Sequence, residues 1–237
     1  CAAARCLRIP VITHECDFSP GLATKLNTRF ADKIFVSYSK TIAFFPPAVQ
    51  KKIICTGNPV RMKFYNADKA AGKAFIGYTG EKPILFIQGG SLGALQINTL
   101  VEQTILFLAE RFFVVHQTGS QHESHGKRIR SFLEQTRPDL GGQYRVFPFI
   151  AEQMPDVLAC ADIVMSRAGA NTLWEAAAAG KPMLLLPLEK GSSRGDQIEN
   201  ADFFAQQGAA AVLQSEQANP EDLCAVLTRF LEHPETA

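Results

Sequence analysis

Short apolar runs alternate with longer stretches whose apolar positions recur every three or four residues, from one end of the chain to the other. The runs are β-branched or continuously apolar, the pattern of parallel strands covered on both faces. They predict strands at Val11–Thr13, Lys33–Val36, Lys52–Cys55, Ile84–Gln88, Phe112–His116, Tyr144–Phe147, Ile163–Met165, Met183–Leu186 and Ala210–Leu213. Between them the helical period predicts helices near Pro20–Phe30, Ala94–Ala109, Gln121–Gln135, Glu152–Cys160, Asn171–Ala179, Gln197–Gln207 and Pro220–Leu231. In the second of these, Ile97, Leu100, Val101, Ile105 and Leu108 share one face. Strand–helix–strand repetition of this kind predicts an α/β fold with a doubly wound parallel sheet.

The rhythm breaks between Asn58 and Pro83. Pro46-Pro47, Gly57-Asn58-Pro59 and the polar stretch Asn66–Lys82 read as turns and linker. About three strands precede the break, too few for a complete α/β domain, and six strand–helix units follow it. The expected division is therefore residues 1–58, the tail of an N-terminal domain, and residues 59–237, nearly all of a C-terminal one. The chain opens Cys1-Ala2-Ala3-Ala4-Arg5-Cys6-Leu7 in what reads as the end of a helix, so it is expected to be a piece of a longer protein.

Composition narrows the function classes. Of 237 residues, 46% are hydrophobic and 20% charged, ordinary for a globular protein with a real core. A net charge of +1 supplies no global field for nucleic acid or an anionic membrane. No apolar run reaches the length of a membrane-spanning helix. Cysteines at 1, 6, 16, 55, 160 and 224 have neither zinc-like nor redox spacing, which predicts reduced thiols in a cytoplasmic protein.

Three polar turns carry the candidate chemistry. Gln88-Gly89-Gly90-Ser91-Leu92-Gly93-Ala94 ends a strand and opens a helix. Its glycines allow close backbone approach, and a helix start offers unpaired N–H groups and partial positive charge to a phosphate. The same turn without a ligand is simply a tight connection. Ser166-Arg167-Ala168-Gly169-Ala170-Asn171-Thr172-Leu173-Trp174-Glu175 again joins a strand to a helix. Here Thr172 with Glu175 fits a capping box, while a carboxylate in the first helical turn can equally accept two vicinal hydroxyls, as on ribose. The third turn, Leu188 to Asn200, places Asp196 and Gln197 at a helix start, suited to reading sugar hydroxyls or to plain capping. All three follow the carboxyl ends of strands, the edge where open α/β sheets bind ligands.

The ordered set of motifs resembles the MurG-type N-acetylglucosaminyltransferases of peptidoglycan synthesis, two-domain enzymes of the GT-B fold. It runs through His14-Glu15-Cys16-Asp17, Thr56-Gly57-Asn58-Pro59-Val60-Arg61, Gly89-Gly90-Ser91-Leu92-Gly93-Ala94, Phe149-Ile150, Arg167 to Thr172 with Glu175, Ala179-Gly180-Lys181-Pro182 and Asp196-Gln197-Ile198-Glu199-Asn200-Ala201. The fold implied is a nearly complete C-terminal Rossmann-like sheet plus the tail of an N-terminal Rossmann-like domain. The activity implied is transfer of N-acetylglucosamine from UDP-N-acetylglucosamine to the 4-hydroxyl of undecaprenyl-pyrophosphoryl-N-acetylmuramoyl-pentapeptide, lipid I, giving lipid II. This would occur at the cytoplasmic face of the bacterial inner membrane, with peripheral membrane contact and no nucleic acid.

By the same resemblance Gly90, Ser91 and Gly93 would hold the diphosphate and Arg61 would lie near the donor. Ile150 would read the uracil edge through its backbone. Asn171 and Thr172 would line the nucleotide site, and Glu175 would take the ribose hydroxyls. Asp196 and Gln197 would bind the N-acetylglucosamine, and Asp17 would face it from the interdomain cleft. Asp17 and Asp196 stand where many members carry amides. The general base of the family would lie upstream of Cys1. The chemistry implied is inverting displacement at the anomeric carbon, with fixed donors stabilising the departing UDP. The chain has no Asp-x-Asp pair, and neither a metal nor a cofactor is expected.

Two other readings keep the fold and change the role. One is a UDP-sugar-binding subunit without catalysis of its own. The other is a relative such as a UDP-sugar 2-epimerase or a diacylglycerol glycosyltransferase. Among the remaining residues, His14 is expected to line the cleft or serve structure, and His116 to pack in the core or face solvent. His122, His125 and His233 read as surface residues, and Trp174 as a packing residue.

Overall fold

The computed structural model describes residues 1–189, 195–214 and 217–233. Its strands are β1 (Ile12–Glu15), β2 (Lys33–Val36), β3 (Ile53–Cys55), β4 (Ile84–Gln88), β5 (Phe113–Gln117), β6 (Tyr144–Phe147), β7 (Ile163–Ser166), β8 (Met183–Leu185) and β9 (Ala210–Val212). The helices are α1 (Ala2–Cys6), α2 (Leu22–Asn27), α3 (Pro47–Gln50), α4 (Met62–Tyr65), α5 (Lys69–Ile76), α6 (Leu95–Arg111), α7 (Glu123–Thr136), α8 (Met154–Cys160), α9 (Ala170–Ala178), α10 (Asp196–Gln206) and α11 (Pro220–Glu232). The expected doubly wound α/β architecture is present.

The strands form two parallel sheets, β1-β2-β3 and β6-β5-β4-β7-β8-β9. Counted along the chain, the larger sheet has the order 3-2-1-4-5-6. Its strand order reverses between β4 and β7, which places Gln88 directly beside Ser166 in the register. Alternate strand residues face opposite layers of helices. Leu85, Ile87, Val114 and Met165 pack under α6, α7 and α11 with Ile97, Ile105, Ile129, Leu133, Leu223 and Leu227. Ile84, Phe86, Val115, Val164 and Leu185 pack on the other face with Ile76, Val157, Leu158, Leu173 and Phe204. A smaller core, Val11, Ala31, Ile34, Val36 and Phe45, serves the first sheet.

The stretch Asn66–Lys82, read from sequence as linker, instead contains α5. Asp68 caps its start by accepting from the N–H groups of Ala70 and Ala71. Gly77, in the left-handed conformation, ends it. The helix lies against α8 and buries Ile76 beneath the larger sheet. Polar residues dominated the reading because only one narrow face of so short a helix is covered.

A seam joins the two sheets. Asn200 on α10 accepts from the Phe18 N–H at 2.9 Å and donates to the Asp17 carboxylate at 3.1 Å. Asn58 donates to Asn171 on α9 at 2.9 Å. Tyr38, after β2, packs edge-on against Phe203 with ring centroids 4.7 Å apart. Trp174 donates its indole N–H to the Tyr38 hydroxyl at 3.3 Å, so the expected packing role of Trp174 includes bridging the sheets.

Candidate functional site at the strand-order reversal

Adjacent strands that lead their helices to opposite faces leave a crevice between their connections. Here that crevice opens above Gln88 and Ser166. The glycine turn leaves β4 there and the Arg167–Gly169 turn leaves β7. A 610 Å³ cavity at this edge is lined by residues that include Arg61, Gly90, Ser91, Ile150, Thr172 and Glu175. A neighbouring 380 Å³ cavity is bordered by Gly90, Gly93, Arg167, Thr172, Leu188 and Gln197. Gln88, Gly90 and Thr172 border both.

The helix starts at this edge explain its electrostatics. Ala94 and Gly169 are the N-caps of α6 and α9, and neither helix has a side-chain cap. Their first N–H groups and the positive ends of their dipoles are therefore available toward the cavities. By contrast, Asp68 and Asn219 cap α5 and α11, which border neither cavity. Gly169 as N-cap also corrects one reading of the second motif. The helix begins before Thr172, so Thr172 and Glu175 form no capping box, and Glu175 sits in the second turn rather than the first.

Glu175 is the acidic group of the larger cavity. Burial pushes its carboxyl above the usual carboxylate range, and the nearby Arg61 guanidinium opposes that shift. The two are paired at 3.5 Å, with the Arg61 side chain 63% exposed and that of Glu175 21% exposed. Arg167 lies under the second cavity. One of its guanidinium nitrogens donates to Gln96 and to the backbone oxygens of Leu186 and Pro187, and burial lowers its pKa.

The sequence-derived candidates separate into two groups. Arg61, Gly90, Ser91, Gly93, Ile150, Thr172, Glu175 and Gln197 border the cavities. Asp17, Asn171 and Asp196 do not; Asp17 and Asn171 bond across the seam, and Asp196 is the first residue of α10. Gln197 accepts from the Leu188 N–H at 3.1 Å. The part of the third turn at 190–194 lies outside the described residues. The N–H of Ile150 donates to the Gln117 side chain at 2.8 Å, so within the fold that amide is already engaged.

Sequence reasoning missed Gln117 altogether. The expected strand ended at His116, whereas β5 runs one residue further. His116 itself is fully buried between the Tyr144 hydroxyl at 2.9 Å and the Asn98 amide oxygen at 3.0 Å. Burial, with a smaller contribution from His125, pushes its imidazole down to about 3. His125, expected at the surface, is buried and contacts Glu102 at 3.2 Å. His14 lies 3.1 Å from the Gly57 carbonyl oxygen. All six cysteines are free.

Comparison with known proteins agrees with this geometry. Residues 84–237 match the glycosyltransferase family 28 C-terminal domain. A Treponema denticola protein is 52% identical over 221 residues, 93% of this chain and 56% of its own length. It is named as a UDP-N-acetylglucosamine--N-acetylmuramyl-(pentapeptide) pyrophosphoryl-undecaprenol N-acetylglucosamine transferase. The crystal structure of Acinetobacter baumannii MurG superposes with a TM-score of 0.71 at 28% identity, covering 97% of this chain and 60% of that one. A Neisseria meningitidis UDP-GlcNAc 2-epimerase superposes at 0.69 with 16% identity over 99% of this chain and 64% of that one, which is likeness of fold alone. The chain spans 56–61% of the length of its first curated relatives. With a family match over most of its length and half its residues shared with a MurG-type relative, the chain belongs to glycosyltransferase family 28, in the MurG branch.

Proposed function

We propose that this chain carries the donor-binding half of an inverting N-acetylglucosaminyltransferase. In the whole protein it would transfer N-acetylglucosamine from UDP-N-acetylglucosamine to lipid I, giving lipid II for peptidoglycan. The observation that carries the reading is the placement of Ser91 and Glu175 on one cavity at the strand-order reversal. A diphosphate fits the glycine turn at the start of α6, where Ser91 and backbone N–H groups supply donors. A ribose fits Glu175, whose carboxylate can accept from two vicinal hydroxyls. The sugar would extend toward Thr172 and Gln197 in the adjoining cavity, with Asp196 at the same helix start. Asn171 and Asp17 act in this reading from the seam.

The proposed division is residues 1–58 on the acceptor side and 59–237 on the donor side. Transfer requires a general base to take the acceptor hydroxyl proton, and the chain positions the leaving group rather than that base. As the anomeric C–O bond breaks, charge accumulates on UDP, and the donors fixed at the glycine turn stabilise it. No described helix is long and apolar enough to cross a membrane. By its likeness to the MurG-type relatives, access to a lipid-linked acceptor is proposed as peripheral contact at the cytoplasmic face. No step in this reading uses a metal or a cofactor.

Ligand binding to the folded state raises stability by mass action, about 2.7 kcal/mol at a hundredfold excess over Kd. For a chain of this size that corresponds to a rise of roughly 5–10 °C in Tm. UDP and UDP-N-acetylglucosamine should both produce it in thermal unfolding of this chain. Absence of a shift at millimolar UDP overturns the reading.

A further inference from the structure

We propose that Gln117 is a positioning residue that ties the base end of the nucleotide site to its phosphate end. The inference rests on the UDP-binding reading above and adds a residue that no motif pointed to. Gln117 is the last residue of β5, beside Gln88 of β4 in the register, and only 1% of its surface is exposed. Its amide has two ends and uses them on different loops. The oxygen accepts from the Ile150 N–H at 2.8 Å, and the nitrogen donates to the Gly90 carbonyl at 3.4 Å. Gly90 belongs to the glycine turn and Ile150 to the loop after β6, and all three residues line the 610 Å³ cavity.

The residues that follow Gln117 reinforce the phosphate side. The turn through Gly119 lies directly under the glycine turn: a side chain at Gly119 would overlap the Gly93 backbone nitrogen. Ser120 donates its N–H to the Ser91 carbonyl at 3.2 Å. Asn98, on α6, donates to the Thr118 carbonyl at 3.0 Å. The β5 exit is thus a bracket under the glycine turn, and Gln117 is its side-chain link to the Ile150 loop. A hydrogen-bonding group with two fixed partners holds those partners in register; removing the link leaves the buried Ile150 N–H without its side-chain acceptor and the Gly90 carbonyl with its 3.2 Å bond from the Gly93 N–H alone.

The test uses two variants and three ligands on this chain. Gln117→Met keeps side-chain length and removes both bonds. Gln117→Glu in its ionised form keeps an acceptor for Ile150 and removes the donor to Gly90, so its binding is measured at a pH above the ionisation of that buried carboxyl. Dissociation constants are measured for UDP, uridine and inorganic pyrophosphate, with Tm recorded for each variant. The expected result for Gln117→Met is at least tenfold weaker UDP, with uridine and pyrophosphate each weakened at least threefold. For Gln117→Glu, uridine, which is uncharged, should stay within twofold of wild type while pyrophosphate weakens. A residue that merely fills the core would shift Tm without separating the ligands. Unchanged UDP affinity in Gln117→Met, or loss confined to one end, overturns the bridge. If Gln117→Met does not fold, uridine weakened in Gln117→Glu as much as pyrophosphate overturns it equally. Failure of wild type to bind UDP is a different result, which sinks the nucleotide reading and this inference with it.

Discussion

Replacing Glu175 by Ala tests the ribose contact, and the structure sets its size. The carboxylate is half-buried, carries a pKa raised by that burial, and is paired only loosely with an exposed arginine at 3.5 Å. An exposed ion pair of this kind contributes about 0–1 kcal/mol, so giving it up on binding costs little. A hydrogen bond to a charged acceptor contributes roughly 1.5–3 kcal/mol. Two ribose hydroxyls on one carboxylate, less the desolvation already evident in the raised pKa, leave about 3 kcal/mol, or about a hundredfold in Kd for UDP. The assay is isothermal titration of UDP and 2′-deoxy-UDP into wild type and Glu175→Ala. Wild type should bind the deoxy ligand about tenfold more weakly than UDP, and the variant should barely distinguish them. The sign with pH follows from the raised pKa: protonation removes the acceptor, so wild-type affinity falls as the solution is acidified through that pKa. Glu175→Gln should show a flatter profile over the same range. A loss under threefold in Glu175→Ala, or an equal deoxy penalty in both proteins, refutes the assignment.

Two further outcomes follow from the bracket beneath the site. Gly119→Ala forces a side chain into a position with φ +87° and into overlap with the Gly93 backbone. Strain and overlap together should cost on the order of 3 kcal/mol, a fall of roughly 6–12 °C in Tm, with weaker UDP binding; an unchanged melt would show that the two turns do not pack as described. His116 is held neutral in the fold with its pKa at about 3, against 6.5 when free. A depressed folded pKa means that stability is full above about 6.5 and lost as pH falls toward 3, by about 2 kcal/mol between pH 8 and pH 5. Urea unfolding at those two pH values should show that loss in excess of the loss in His116→Gln, and parallel profiles would refute it.

The sequence made the larger sheet legible because both faces of every central strand are covered. Ile84–Gln88 and Tyr144–Phe147 have the expected bounds, as does Lys33–Val36 in the smaller sheet, and the remaining strands shift by a residue or so. The glycine turn, the Arg167 turn and Glu175 were legible for a different reason: each follows such a strand, and the strand edge is where helix starts converge. What remained hidden has local, not compositional, causes. The α5 segment had its signals in Asp68 and Gly77, but its polar residues resembled linker. His125 stands four residues before Ile129 and eight before Leu133, so its helical face was readable, though surrounding polar residues masked it. Gln117 looked like a strand exit because nothing in a linear pattern marks a polar side chain that turns inward to two loops. The motifs mark Asn171 and Asp17 as candidate ligand contacts; their bonds to Asn58 and Asn200 emerge only when the two sheets meet.

That meeting explains why α9 serves two purposes. Its start borders the cavities, while Asn171, Trp174 and Glu175 on its flank reach residues of the first sheet and of the segment crossing from it. Among the polar links, the Arg61–Glu175 pair is too exposed to hold two sheets in register. The aromatic contacts are a stronger source of rigidity. Phe18, Tyr38, Trp174, Phe203 and Phe204 form a chain of edge-on and tilted pairs 4.7–6.5 Å apart. Each such pair contributes about 0.5–1.5 kcal/mol beyond its buried area. Rings from β1's exit and β2's exit thus clamp α9 and α10 from the side. The clamp does not involve Gly169, the N-cap of α9, so in the proposed reading Glu175 would exchange its arginine for a ligand without loosening the seam.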